Sequence, residues 1–402
     1  MSTFDGSIRE IPGISVDRFD GENLKSSTFF LSHCHTDHMK GLQNVQFQEK
    51  LISEKKYLYL SSISAVILRI LYPGITHRIK ELPLEQETSI ELESGLYVSV
   101  TCIPAGHCPG SVMFLFETDK IRVLYTGDYR IHTHDITKFR CFYDIFGIVK
   151  PIDKIYLDTT FFLKSYSSFP KREISLTEVC NVILRWTSQD PQNSIKLDLS
   201  AKYGYEYVFA EIYKVCKMPV HVDEERFKIY SAIPELDRCV TTNGLSTQIH
   251  SCYYPSRDIC YSCDVHKVRI VKLSALRWKN RDFNSSSVSE LGEDGTLFIC
   301  YSTHASYEEG LALLDFLKPN DVHVCVDRPD DPVTNANIRK LIDKQLNKEK
   351  PQNEPAEVQM LFDVISQVQI GSSIDISRCE SRANSPLKKM FKGDSILDSP
   401  PR

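Results

Sequence analysis

The most constraining feature of this chain is a cluster of three histidines and one aspartate within six positions. The cluster has the spacing H-x-H-x-D-H, formed by His33, His35, Asp37 and His38, and it follows an apolar, strand-like stretch at residues 28–31. Zinc accepts imidazole and carboxylate ligands, and a mixed nitrogen and oxygen set with open positions is typical of catalytic sites. At a strand-to-helix turn, one half of the cluster can point one way and the other half the opposite way. The spacing therefore predicts two adjacent zinc ions, and the alternative is a polar loop that happens to be rich in histidine.

Three further imidazole or carboxylate side chains each follow a strand-like segment. His107 lies in a glycine-rich turn after residues 96–103, Asp128 ends the next strand-like run, and Asp17 ends a short alternating run upstream. A single aspartate at a strand end is commonly a turn residue. Together with the histidine cluster, these make four strand ends in succession that carry imidazole or carboxylate groups. We therefore predict that all four contribute to one metal centre.

The order of these groups resembles the metallo-β-lactamase superfamily, and within it the β-CASP branch of nucleic-acid-processing nucleases. Asp158 stands at the position of that branch's acidic motif A, and His304 at that of its motif B histidine. Val326 falls at motif C, where RNA-cutting members are expected to carry histidine and DNA-cutting members valine. His323 lies three positions earlier, on the opposite face of a strand, and is not counted as a ligand. The resemblance covers about residues 11–326 and implies a DNA-cutting enzyme.

The resemblance implies a role for each member of the site. The implied metal ligands are His33, His35 and His107 for the first zinc ion, Asp37 and His38 for a second ion, and Asp128 as the bridge. The implied catalytic residues are Asp37, which would position the nucleophile, and Asp158 and His304, which would orient ligands or assist the leaving oxygen. Asp17 would orient the ligand loop by hydrogen bonding. Because Val326 supplies no ligand, the second ion is expected to bind weakly, and Mg²⁺ or Mn²⁺ could support activity.

A second group of zinc-type ligands lies in the middle of the chain. Its members are His221, His250, Cys252, Cys260 and Cys263. Four of these five could close a tetrahedral structural site, since four protein ligands leave no open position. Whether Cys260 or Cys263 would be the fourth ligand stays open. The alternative is that all five are ordinary buried residues.

The segment 272–283 interleaves cations with aromatic side chains. Lys272, Arg277 and Lys279 stand in this segment, with Trp278 between the last two. Such a stretch can pair with phosphates and stack an unpaired base, so we predict that these cations contact DNA. The alternative is an exposed loop that follows a core strand.

The composition agrees with an intracellular enzyme. The 402 residues, 42% hydrophobic and 25% charged, suit two compact domains and a tail. Thirteen cysteines without a secretion signal indicate reduced thiols and metal ligands rather than disulfides. No apolar run is long enough for a membrane span, so membrane association is not expected. The net charge of −5 argues against nonspecific binding of nucleic acid, so DNA binding would need local basic patches and the metals.

The order of strands and helices predicts an α/β fold with an inserted unit. Residues 1–158 alternate short strands with turns and include one predicted helix at 62–71. Residues 159–295 alternate helices, predicted at 173–186 and 204–215, with strands, which indicates a small α/β unit with a partly parallel sheet. Residues 296–346 complete the first domain. By resemblance, this is a metallo-β-lactamase αββα sandwich, formed by the first and third segments, with an inserted α/β β-CASP domain. Residues 347–402 are interpreted as a disordered tail, and within them 358–370 could instead form a helix that packs on the core.

By resemblance, the leading hypothesis is a zinc-dependent DNA nuclease of double-strand-break repair by end joining. It would be an endonuclease on hairpins and overhangs and a 5′–3′ exonuclease, and it would act in the nucleus. The implied partners are DNA, a DNA-dependent protein kinase and an end-joining ligase. An RNA-processing β-CASP endonuclease is the alternative that Val326 disfavours. A non-cutting scaffold that binds nucleic acid is disfavoured because every expected ligand position is kept.

Overall fold

A computed structural model of the chain describes residues 2–199, 201–252, 267–283 and 287–347. The strands of these residues are, in chain order, Ile14–Val16 (β1), Thr28–Phe30 (β2), Leu58–Leu60 (β3), Ile79–Glu81 (β4), Glu87–Glu91 (β5), Tyr97–Pro104 (β6), Val112–Glu117 (β7), Arg122–Tyr125 (β8), Lys154–Leu157 (β9), Ser194–Leu199 (β10), Val220–His221 (β11), Val240–Thr241 (β12), Ile249–His250 (β13), Val268–Ser274 (β14), Ser289–Leu291 (β15), Leu297–Cys300 (β16) and Asp321–Val324 (β17). The α-helices are Val45–Ser53 (α1), Ser62–Leu71 (α2), Thr133–Ile136 (α3), Arg172–Thr187 (α4), Glu206–Cys216 (α5), Glu224–Tyr230 (α6), Tyr307–Leu317 (α7) and Pro332–Asn347 (α8). Among the described residues, none of these helices combines the length and the apolar character that crossing a bilayer requires.

The strands form three sheets, and the predicted α/β class is confirmed. The first sheet has the order β1–β2–β3–β4 and is parallel throughout. The second has the order β17–β9–β8–β7–β6–β5, in which β17, β9 and β8 are parallel and the remaining pairs are antiparallel. The third has the order β12–β11–β13–β10–β14–β16–β15 and is parallel except for its edge strand β15.

The first two sheets face each other across an apolar core. The ring of Phe30 on β2 lies 5.3 Å from that of Phe114 on β7, and both side chains are fully buried. On the other face of the first sheet, Leu60 shares a core with the side chains of α1 and α2. On the other face of the second sheet, Leu124 shares a core with Leu313 of α7 and with side chains of α8. The order of layers is therefore helices, sheet, sheet and helices.

The third sheet carries α4 and α5, which match the helices predicted near 173–186 and 204–215 to within one or two residues. Ile195 of β10 packs with Val179 and Val208 of these helices. β16 pairs with β14, so this sheet continues past the domain boundary expected at residue 295. One sheet therefore contains strands from both sides of the expected boundary.

Strand direction brings the motif residues to one edge of each sheet. β6, β8, β9 and β17 run in the same direction within the second sheet, so their carboxyl ends meet at one edge. The residues that follow these four ends are, in the same order, His107, Asp128, Asp158 and Val326. β1 and β2 are parallel and lead to Asp17 and His33. Ligand sites of α/β sheets lie at such carboxyl ends, so topology alone concentrates these polar groups.

Candidate metal centre

Three histidines and one aspartate converge in the core of the molecule. Ligand-type atoms of His33, His35, His107 and Asp128 all lie within 4.8 Å of one another. Nε2 of His107 and Nδ1 of His35 are 3.0 Å apart, and three of the four residues are buried. Three ring nitrogens and a carboxylate at this spacing form a donor set that suits zinc.

Asp128 stands between two sets of ligand-type side chains. On one side are His33, His35 and His107, called the first group of histidines, and on the other side are His38 and Asp37. Oδ2 of Asp128 lies 3.6 Å from Nε2 of both His33 and His107, whereas its Oδ1 lies 3.3 Å from Nε2 of His38. Asp37 is on the side of His38, with Oδ2 3.9 Å from Nε2 of that ring. A carboxylate that turns one oxygen to each group has the geometry to bridge two ions.

Hydrogen bonds fix the rings with Nε2 toward the centre. Nδ1 of His38 lies 2.7 Å from Oδ2 of Asp17, and Nδ1 of His107 lies 2.9 Å from the carbonyl oxygen of Thr303. Because a carboxylate and a carbonyl can only accept, both rings carry their proton on Nδ1. Nε2 of His33 and of His35 is buried and has no hydrogen-bond partner within the described part of the chain. Unpaired buried nitrogens are costly, and a bound cation accounts for them, so the residues present fit a zinc centre.

Asp17 orients His38 directly and His33 through Ser32. Its Oδ1 accepts from the Ser32 amide at 2.7 Å, and its Oδ2 accepts from the Ser32 hydroxyl at 2.5 Å and the Tyr125 hydroxyl at 2.8 Å. The Ser32 oxygen lies 2.9 Å from Nδ1 of His33, so the carboxylate that holds His38 also holds His33 through one hydroxyl. Ser32 and Tyr125 were not predicted as site residues. The available signal was that Ser32 directly precedes the ligand cluster and Tyr125 ends the strand that leads to the bridging aspartate.

Asp158 and His304 form an ion pair beside the centre. Oδ2 of Asp158 lies 2.9 Å from Nδ1 of His304, and Oδ1 accepts from the amide and the hydroxyl of Thr160. Nδ1 of His304 is 3.9 Å from Oδ2 of Asp128. Asp128, Asp158 and His304 are therefore close enough to hold a metal ion together. The Val326 amide donates to the hydroxyl of the residue after Asp158 at 3.3 Å, which puts the motif C position beside motif A. The pair can therefore act either as ligands or as positioning groups.

Burial keeps the first group of histidines neutral. The loss of water lowers the pKa of His33 and of His107 well below the usual 6.5, and it lowers the pKa of His35 to about 4. Neighbouring imidazoles add to the effect, because each would repel a second positive charge. Neutral imidazole is the form that binds a metal, so these rings need no deprotonation near neutral pH.

His38 behaves differently from the first group. Burial alone would lower its pKa, but the carboxylates of Asp128 and Asp17 outweigh burial and raise the pKa well above 6.5. Burial would likewise raise the pKa of Asp128, but His38 and His304 hold it well below 3.8. The bridging carboxylate is therefore ionised, and a metal beside His38 would have to displace a proton.

A cavity of about 140 Å³ opens onto these residues, and the residues after β10 form one wall of it. Gly204 in that wall has a φ of +107°, and a Cβ at this position would lie 3.0 Å from Nε2 of His35. The carboxylate of Glu206 accepts from the Gly204 amide at 2.9 and 3.0 Å, which fixes the loop against the ring. Ser2 also lines the cavity, and its amide donates to Oδ2 of Asp37 at 2.9 Å. Neither Ser2 nor Gly204 was predicted, because both reach the site through tertiary packing.

The second predicted zinc group is partly assembled. His221 and His250 face each other on the adjacent strands β11 and β13, and their Nδ1 atoms are 3.1 Å apart. Cys252 lies within 4.8 Å of both rings. Cys260 and Cys263 lie outside the described residues, so closure of the site by a fourth ligand stays a prediction.

The cations expected to contact DNA have acidic neighbours. Lys272 pairs with Asp198 at 2.9 Å, and Arg277 pairs with Glu290 at 3.3 Å. Lys279 follows a short 3₁₀ helix beyond the carboxyl end of β14. Two of the three charges are therefore already balanced in part, and the DNA contact stays a prediction.

Comparison with known proteins identifies relatives of this chain. No protein-family model matches it. The chain is 35% identical to protein Artemis of Mus musculus over 344 residues, which are 80% of this chain and 48% of that protein. It is 36% identical to protein Artemis of Homo sapiens over 339 residues, 79% of this chain and 48% of that protein. It is 28% identical to 5′ exonuclease Apollo of Mus musculus over 301 residues, 73% of this chain and 50% of that protein.

The chain spans about half the length of the curated relatives it matches. The matches extend over most of the segment that carries the histidine and aspartate motifs, and they agree with the resemblance that those motifs indicated. This chain is therefore a homologue of Artemis and Apollo over that segment.

Proposed function

We propose that this chain is a zinc-dependent DNA nuclease that hydrolyses phosphodiester bonds in double-strand-break repair by end joining. The observation that carries the proposal is the position of Asp128, with one carboxylate oxygen toward His33 and His107 and the other toward His38. This arrangement suits two adjacent ions on one phosphodiester. The proposed activities are endonucleolytic cutting of hairpins and overhangs and 5′–3′ exonucleolytic trimming. The relatives support this choice, since one of them is named a 5′ exonuclease.

Each side chain of the centre would have a separate role in phosphodiester hydrolysis. Zinc, when bound, acidifies water and neutralises charge on the phosphoryl oxygens. Asp37 lies at the cavity and would orient the attacking water in line with the scissile bond. The ring of His304 is held through Nδ1 by Asp158, so the opposite edge of the ring is available to the leaving oxygen. The products would carry 5′-phosphate and 3′-hydroxyl ends.

The second ion is proposed to bind between Asp37, His38 and Asp128. Because Val326 offers no ligand, the site is one protein ligand short, and substrate oxygens would complete it. Oxygen-rich, incompletely filled sites suit Mg²⁺ or Mn²⁺, which keep water as the remaining ligands. Added Mg²⁺ or Mn²⁺ should therefore stimulate cutting.

The architecture is proposed to be a metallo-β-lactamase αββα sandwich with an inserted β-CASP domain built on the third sheet. Support comes from the layer order of the first two sheets and from the cavity wall that follows β10. DNA would lie along the opening between them. A structural zinc would be held in the inserted domain by His221, His250 and Cys252 with either Cys260 or Cys263.

DNA would also contact Lys272, Arg277 and Lys279 beyond the carboxyl end of β14. Alanine at Lys272 and Arg277 should weaken binding to all DNA sequences. The slope of log affinity against log salt concentration should fall by about one for each phosphate that is no longer neutralised. The proposed partners beyond DNA are a DNA-dependent protein kinase and an end-joining ligase, and the proposed location is the nucleus.

The test of this function compares hairpin DNA, 5′ single-stranded DNA and matched RNA. The protein should cut DNA, lose activity with a chelator and regain it with zinc and Mg²⁺. Asp128→Asn should abolish cutting, whereas Asp119→Asn, at an exposed aspartate, should not. Faster cutting of RNA than of DNA would favour the RNA-processing alternative. DNA binding without any cutting would favour the non-cutting scaffold.

A further inference from the structure

We infer that the segment Ser2–Phe4 is a positioning element for the second-ion ligands. In this inference Phe4 anchors the segment on the core, and the amide of Ser2 orients the carboxylate of Asp37. The inference rests on the proposed function, because it concerns the metal position that Asp37 and His38 would share. The segment itself would not bind the ion.

Ser2 contacts the carboxylate that needs orientation most. Its amide donates to Oδ2 of Asp37 at 2.9 Å, and this same oxygen lies 3.9 Å from Nε2 of His38. The Asp37 side chain is 26% exposed, whereas that of His38 is 1% exposed. A partly exposed carboxylate rotates more readily than a buried ring. A charge-assisted bond from a fixed amide therefore restricts Asp37 to the orientation that faces His38.

Thr3 binds the segment to the residues that follow β17, where Val326 offers no metal ligand. Its amide donates to the carbonyl oxygen of Cys325 at 3.0 Å, and its hydroxyl accepts from the Asp327 amide at 2.7 Å. These two partners flank Val326, where a histidine would otherwise offer a further ligand. The segment thus lies beside the position at which the second ion is one ligand short.

Phe4 anchors the segment in the core between the first two sheets. It is 5% exposed, and its ring lies 5.1 Å from Tyr125, 5.2 Å from Tyr156 and 5.9 Å from His323. This contact also explains why His323 takes no part in the metal centre, since its ring packs on Phe4 and Tyr156.

One anchor therefore supports both second-ion ligands. Phe4 holds Ser2 against Asp37, and it packs on Tyr125, whose hydroxyl donates to Asp17 at 2.8 Å. Asp17 in turn lies 2.7 Å from Nδ1 of His38. Loosening the anchor should weaken the second ion first, because Asp37 depends directly on the Ser2 amide, whereas Asp17 keeps its bonds to the amide and hydroxyl of Ser32, which holds His33.

The experiment measures ion binding as well as cutting. Protein loaded with one zinc is titrated with Mn²⁺, and electron paramagnetic resonance counts free Mn²⁺. Phe4→Leu and Phe4→Ala should weaken Mn²⁺ binding, the latter by about tenfold or more, as loss of groups that orient ligands does. Zinc content should stay unchanged, and excess Mn²⁺ should restore cutting. Asp37→Asn identifies which part of the Mn²⁺ signal belongs to this position.

Phe116→Leu is the matched control. Phe116 is fully buried in the same core as Phe4 and contacts Phe30 at 5.1 Å. Its substitution should lower the melting temperature without shifting Mn²⁺ affinity. Thr3→Val, which removes the hydroxyl without opening a cavity, should shift Mn²⁺ affinity in the same direction as Phe4→Leu by a smaller factor.

The inference is overturned if Phe4→Ala binds Mn²⁺ like the wild type, or if Phe4→Leu and Phe116→Leu shift it equally. Either result would give the segment a packing role alone. Failure of the proposed function is distinguishable, because it would show as wild-type protein that binds both ions and cuts no nucleic acid.

Discussion

Asp17→Asn is the substitution that should disturb the orientation of the metal ligands while leaving the fold intact. Asp17 has a φ of +57°, a left-handed conformation that asparagine tolerates better than most residues. The shape of the side chain is kept, so the backbone should be unchanged. Removal of the charge and of one acceptor then tests what the carboxylate does for His33 and His38.

The magnitude follows from four hydrogen bonds to this carboxylate. Oδ2 accepts from Ser32, Tyr125 and His38, and Oδ1 accepts from the Ser32 amide. The asparagine oxygen should take the place of Oδ2, which leaves its amide facing the Ser32 N–H. One buried donor loses its acceptor, and the other three bonds fall from charge-assisted to neutral strength. We expect a loss of roughly 2–4 kcal/mol in the free energy of unfolding of the metal-free protein.

The metal should be affected more visibly than the fold. Loss of a group that orients metal ligands costs about 10–100-fold in metal affinity. Zinc affinity is measured by competition with a chromophoric chelator, and cutting is measured at limiting and at excess metal. Asp20→Asn, three residues away and paired with Arg18 at 2.7 Å, is the control. Wild-type zinc affinity in a correctly folded Asp17→Asn would show that the Asp17 carboxylate does not orient the zinc ligands.

Three further predictions concern the cavity wall, the second zinc group and pH. Gly204→Ala should lower zinc affinity and cutting, because its Cβ would lie 3.0 Å from the ring of His35; Gly95→Ala, also at positive φ but with no neighbour within 4 Å, should change only the melting temperature. Cys252→Ser should release about one zinc per chain and lower the melting temperature, and an unchanged zinc count would return the group to ordinary buried residues. Affinity for the second ion should rise with pH above 6.5, since the pKa of His38 is raised and its proton must leave, whereas first-ion affinity should be flat near neutral pH, since the pKa of His35 is about 4. Calorimetry in buffers of different ionisation enthalpy measures the protons released, and equal pH slopes for the two ions would contradict this difference.

Local signals in the sequence were sufficient for several helices and for finding the candidate ligand cluster. The helix at 62–71 was predicted with both ends, and its Ser61 cap is present, with the side chain accepting from the Ser64 amide. The helix at 307–317 begins with a capping box of Ser306 and Glu309, which is another local pattern. The ligand cluster was recognisable because its members all lie within six consecutive positions.

Contacts between distant segments were beyond the sequence. Thr303 contacts a ring 196 positions away, and Ser2 contacts Asp37 from 35 positions away. The ion pair between Lys272 and Asp198 depends on the register of two neighbouring strands. No local pattern specifies such partners.

Diffraction at the zinc absorption edge distinguishes a two-ion centre at Asp128 from a single ion. For protein crystallised with excess zinc and a single-stranded DNA, whose phosphate oxygens would complete the second position, we predict two anomalous peaks about 3.5–4 Å apart, one on each side of the Asp128 carboxylate. One peak should contact His33 and His107, and the other should contact His38. No peak at Asp128, or a single ion bound away from His38, would contradict a two-ion centre and with it the proposed mechanism.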